Sequence, residues 1–233
     1  LPFLLVVSLG VQPAVSRTWR VEKDGSGDYT VIQDAVDASA SGDTILIGPG
    51  RYSEYTDHTY AGNIWHTYVH MVSGSLTLIG AGEDVTVIGP EAPGTWEPWE
   101  YAVGVFYWPT TAGSVIRLER AALEDVVDGL YAESGAVVIS NCAFRQAKLG
   151  IWTYTPGTVS ECRFIGIFGT GILTSSPSRD VSIMRCEFQD TDSAFYFSGV
   201  ANVAVRDNTI IDCANVGYLD QCSGSVVRNS FSV

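Results

Sequence analysis

Basic side chains are scarce in this chain: 13 Lys and Arg stand against 26 Asp and Glu, a formal net charge of −13 over 233 residues. Binding to nucleic acid depends on neutralising phosphates, so a pI of 4.4 with no basic tract excludes that class of partner. After Gly10 no apolar run approaches the roughly 18 to 20 residues that cross a bilayer, and no membrane span is expected. Gly25-Ser26-Gly27 lacks the preceding strand, the spacing and the Lys of a phosphate loop, so no organic cofactor is expected. Histidine is limited to His58, His66 and His70. The run His66-Thr67-Tyr68-Val69-His70 has no Glu to complete a zincin-like motif, so no metal site is assigned to it.

The one strongly apolar run is short and stands at the start. Leu1 to Gly10 is followed by small residues at Ala14 and Ser16, where a signal peptidase would want them. Residues 1–16 are therefore expected to be the end of a secretory signal, which puts the protein outside the cell or at its surface. The five cysteines are then read in an oxidising compartment, with Cys213 and Cys222 the better candidates for a disulfide.

What the chain does have is a recurring motif. Asn141-Cys142-Ala143-Phe144, Glu161-Cys162-Arg163-Phe164, Arg185-Cys186-Glu187-Phe188, Asp207-Asn208-Thr209-Ile210 and Arg228-Asn229-Ser230-Phe231 each set a small residue two positions before a large apolar one. Their second residues are 20, 24, 22 and 21 positions apart. A period in the low twenties built from short alternating runs is the pattern of a parallel β-solenoid. The spacing predicts one column of Cys142, Cys162, Cys186, Asn208 and Asn229, and a second of Phe144, Phe164, Phe188, Ile210 and Phe231. A further strand per coil predicts that Leu130, Ile151, Ile172, Phe195 and Tyr218 point inward, with Tyr131, Trp152, Leu173, Tyr196 and Leu219 outward. Glu161, Arg185, Asp207 and Arg228 share one place in successive coils with alternating sign, as a cross-rung ion ladder requires.

The stretches Trp19 to Val36, Gly42 to Tyr52 and Leu76 to Gly82 resemble the opening of pectin methylesterases and related members of the pectin-lyase-like superfamily. The resemblance implies an all-β fold, a right-handed parallel β-helix with a short N-terminal capping helix. Thr30 and Gln33 have capping-box spacing, and Ile32, Ala35 and Val36 form one apolar face able to plug the open end of the coil. One domain is expected, with the strand and capping helix in 17–48 and coils in 49–233. No polar cap follows Phe231, so further coils are expected beyond Val233.

The resemblance also implies an esterase site, which the residues do not supply. Ile167 to Gly171 stands where the acid/base motif belongs, and Ala194 stands at the nucleophile's position before Phe195-Tyr196-Phe197. Gln189-Asp190-Thr191 repeats three letters of the acid/base motif in the wrong coil. A polysaccharide lyase is an alternative. It would take Ca²⁺ on oxygens from Asp180, Asp190, Asp192, Asp207 or Asp212 and a base such as Arg145 or Lys148. Arg145, Lys148, Asp190 and Asp192 are the catalytic candidates. Between 141 and 190 the chain holds five basic and four acidic residues, the only charge-balanced stretch. Aromatics give the remaining candidates, because rows of exposed rings can bind sugars: Tyr131, Trp152 and Tyr196 on the stripe, Trp96, Trp99 and Trp108 in long early segments. The opposing expectation is that these segments bury the stripe as a satellite core. The functional expectation is a secreted protein that binds or processes an extracellular polysaccharide, with a non-catalytic surface or adhesive solenoid as the alternative.

Overall fold

A short strand followed by one residue able to reverse the backbone is what each period encodes, and the computed structural model turns three such strands into every coil. It describes residues 16–60, 62–72, 74–92, 101–175 and 180–232. Among these, the first sheet has nine strands, from Thr18–Val21 to Gly224–Val227. The second has eight, from Gly50–Tyr52 to Ser230–Ser232, and the third eight, from Thr56–Tyr60 to Asn215–Asp220. Every described pairing is parallel except that of Thr56–Tyr60 with Asn63–Met71, an antiparallel hairpin at the edge of the third sheet. The signal segment expected at the start lies outside the described residues.

The corners show how a 20-residue period closes. Asn141, Glu161, Arg185, Asp207 and Arg228 all have φ between 52° and 58° and point into solvent. A non-glycine residue in the left-handed region costs about 1 to 2 kcal/mol. The coil recovers that cost by burying the residue that follows. Cys142, Cys162, Cys186 and Asn208 are all 2 % exposed or less. They form the expected column: Arg163 N–H donates to Cys142 O at 2.9 Å, Glu187 to Cys162, Thr209 to Cys186 and Ser230 to Asn208. Phe144, Phe164, Phe188, Ile210 and Phe231 are register partners in the second sheet. The rings of Phe144, Phe164 and Phe188 stack nearly parallel, 4.9 and 4.7 Å apart, which is the rung spacing itself. The expected ion ladder resolves into two cross-rung pairs: Arg185 holds Glu161 at 2.7 Å and Arg228 holds Asp207 at 2.6 Å, with no ion pair between Arg185 and Asp207 among the described residues. Both pairs are solvent-exposed and add little stability.

Three expectations are corrected. Cys213 and Cys222 are both free, because they follow different corners of the coil and each thiol turns to local carbonyls. The helix Ile32–Ala38 does bury Ile32, Ala35 and Val36, but its N-cap is Val31 and no side chain caps it. Gln33 reaches sideways instead of back to Thr30. Its carbonyl accepts from His70 N–H at 2.7 Å and its amide donates to His70 O at 3.1 Å, which docks the helix on the third sheet. Finally, Phe195 pairs with Gly217, which places Tyr218 on the outward column with Tyr196 and Leu219 on the inward one with Phe197. A Cβ on Gly217 would fall 2.2 Å from the Phe195 ring, so only glycine fits beneath it.

Candidate functional site on the third sheet

The outward face of the third sheet carries two columns, set by the register of its strands. One runs Val103, Asp128, Leu149, Thr170, Ser193, Asn215; the other runs His70, Phe106, Tyr131, Trp152, Leu173, Tyr196, Tyr218. The sequence pattern foresaw the part of the second column from Tyr131 to Tyr196 as a stripe. The structure divides it into a covered half and an open half.

In the covered half Tyr131 is only 4 % exposed. Its ring stacks on Phe106 at 5.3 Å and meets Trp65 at 5.1 Å and Trp152 at 5.0 Å edge-on. Its hydroxyl donates to Glu133. Trp65, Val103, Phe106 and Tyr131 form a second apolar cluster outside the coil, and Trp152 packs against its rim. Tyr131 is therefore core, which overturns its expected role as an exposed binding residue. Trp152 is half-buried, and its indole N–H has no partner among the described residues. In the open half Tyr196 is 37 % exposed, and Tyr218 of the last described coil stacks on it with ring planes 18° apart and centroids 5.1 Å apart. Neither phenol hydroxyl bonds to a described residue. Trp108 is exposed, while Trp96 and Trp99 lie outside the described residues.

The four catalytic candidates do not come together. Arg145 leaves the second sheet, where it pairs with Asp84 at 2.9 Å and Glu124 at 3.4 Å. Asp190 is a corner residue with φ 51° facing solvent. Lys148 and Asp192 stand exposed just ahead of strands Leu149–Thr153 and Ser193–Ser198, in coils that are not adjacent. Among the described residues no three His, Cys, Asp or Glu side chains converge as metal ligands. Asp207 is committed to Arg228, and Asp180 accepts from Asn202 at 2.6 Å. His66 bonds Asp57, while the His70 ring lies tilted against His58 with centroids 3.7 Å apart.

Sequence reasoning missed the one buried carboxylate that this face has among the described residues. Asp128 is 2 % exposed, with apolar register partners Val103 and Leu149 on either side. Burial pushes its pKa up to about 7, and the nearby Lys148 ammonium offsets only part of that. The signal was there: Asp128 is the one acid in a column otherwise made of Val, Leu, Thr, Ser and Asn.

The family model for a right-handed β-helix region matches residues 105–232, more than half of the chain. The chain belongs to that family. The right-handed β-helix is similar in fold to a pectin methylesterase from carrot, at 16 % identity, covering 97 % of this chain and 85 % of that one with a TM-score of 0.47. It is similar also to the pectin methylesterase PemA from Erwinia chrysanthemi, at 11 % identity, 91 % and 81 % coverage and a TM-score of 0.49. A rhamnogalacturonan lyase matches at 12 % identity, with 94 % of this chain, 62 % of that chain and a TM-score of 0.47. A search of curated proteins finds no match. No described helix is long and apolar enough to cross a membrane.

Proposed function

We propose that this right-handed β-helix binds a polysaccharide outside the cell or at its surface, and that the contact is the open half of the third sheet from Trp152 to Tyr218. The observation that carries the reading is the aligned pair Tyr196 and Tyr218, stacked in register on the outward column with Tyr196 exposed one coil inside the last. Contiguous exposed apolar side chains with a few convergent polar groups are what a binding face requires. Leu173 continues the apolar row, and Thr170 and Ser193 run beside it. The apolar run at Leu1 to Gly10 supports the extracellular setting. A glycan array probed with the protein and with Tyr196→Ala tests this: glycan spots that the variant loses support it, and an array the two proteins read identically defeats it.

A second reading, processing rather than binding alone, is favoured by Asp128. Its carboxyl group, held near pH 7 by burial on the outward side of the sheet, can give and take a proton once a substrate displaces the side chains that leave it 2 % exposed. Release of reducing ends by the protein, lost in Asp128→Asn, would establish it; no release from any glycan bound on the array would leave the binding reading alone.

A further inference from the structure

We infer, resting on the polysaccharide reading, that the open face of the third sheet takes an uncharged polysaccharide lying along the solenoid axis and discriminates against polyuronates. The argument starts from where the basic side chains go. The stretch 141–190 is charge-balanced in sequence, yet the fold sends its described arginines away from the stripe. Arg145 and Arg163 leave the second sheet, Arg163 toward Glu83 and Glu187, and Arg185 stands at the corner before that sheet, bound to Glu161. In the strands Leu149–Thr153, Thr170–Ser175, Ser193–Ser198 and Asn215–Asp220 there is no Lys or Arg at all. Among the described residues Lys148, next to Leu149, is the cation nearest these strands, at the end of the face where Trp152 borders the covered cluster.

Two acids flank the open half instead. Asp192 is exposed ahead of Ser193, and Asp220 accepts from Ser198 at 3.3 Å on the far side of the stripe. A uronate chain laid here would bring one carboxylate per residue against fixed like charge, with Lys148 at one end the cation that the described face offers and a net protein charge of −13 behind it. An uncharged chain meets complementary chemistry. Its apolar ring faces can lie on Leu173 and the tyrosine edges. Its hydroxyls find the free phenols of Tyr196 and Tyr218 and the side chains of Thr170 and Ser193. Because both columns run from coil to coil, the contacts repeat along the axis. The span from Trp152 to Tyr218 is three rungs, about 14 Å.

The test is titration calorimetry of the full chain with soluble galactomannan, xyloglucan and polygalacturonate, each at low and high salt. A neutral polymer is expected to bind with an affinity that moves by less than about twofold with salt. Tyr196→Ala is expected to weaken it by at least about tenfold. Tyr196→Phe, which keeps the ring and removes the hydroxyl, should fall between, and matched circular dichroism spectra show that all three proteins are folded. Polygalacturonate binding as tightly as the neutral polymers at low salt, and lost in Tyr196→Ala, overturns the selectivity and leaves the polysaccharide reading standing. Neutral binding untouched by Tyr196→Ala overturns the assignment of the face. If none of the three binds, this inference falls, and the array decides whether the broader reading falls with it.

Discussion

The amide oxygen of Asn229 accepts a hydrogen bond from the backbone N–H of Asn208 one coil earlier, at 3.0 Å, and from its side-chain amide at 2.9 Å. Asn208 repeats the arrangement downward, accepting from Cys186 N–H at 2.8 Å and donating to Ile183 O at 3.2 Å. A buried corner that would leave backbone groups unpaired is thereby closed by a ladder of amides.

Asn208→Ala should therefore destabilise by about 1 to 3 kcal/mol, because it strands the Cys186 N–H and the Ile183 carbonyl in the interior. Asn208→Asp should cost more, since the carboxylate cannot donate to Ile183 and is buried without a cation. Urea midpoints at neutral pH measure both, and an unchanged midpoint for the alanine variant would show that the ladder is dispensable.

Asp128 makes stability depend on pH in a stated direction. Its folded pKa of about 7 lies above the unfolded value near 3.9. Below about pH 4 the group is neutral in both states and carries no penalty. As pH rises from about 4 to about 7 the unfolded chain ionises first, so stability falls, and above about 7 the loss is complete. Asp128→Asn should match the parent near pH 4 and exceed it by about 2 to 4 kcal/mol at pH 8. A stability difference that stays flat across that window would refute the assignment.

Two tyrosines on one column should behave oppositely. Tyr131→Ala empties a site ringed by Trp65, Phe106 and Trp152 and should cost about 3 to 5 kcal/mol. Tyr196→Ala removes an exposed ring and should cost less than about 1 kcal/mol. Thermal melts of the pair separate the core half of the stripe from its free half.

The coil register was legible where each rung repeats both a corner residue and a large inner side chain, as from Asn141 to Phe231. It slipped where a glycine stood in for a side chain. In earlier coils Gly129, Gly150 and Gly171 precede the inner residue, so Gly217 invites the same alignment. It instead lies under Phe195, and the true counterpart is Val216, one place earlier. The capping helix was legible by its apolar face, whereas Gln33 was misread because its partner His70 is 37 residues away. The candidate site was half legible. Alternation places Tyr131 and Tyr196 on one face, but whether a ring is covered depends on Trp65, which no local pattern ties to Tyr131. Asp128 went unread because its pKa arises from Val103 and Leu149, neighbours only after the coil is wound.

The left-handed corner at Asn141, Glu161, Arg185, Asp207 and Arg228 asks something of the backbone and almost nothing of the side chain. An amide, two acids and two guanidiniums satisfy it equally, since each projects into water. That edge is a margin on which charge can be rewritten residue by residue while the interior stays fixed. Drift in sequence there changes what the molecule repels or attracts without asking it to fold anew.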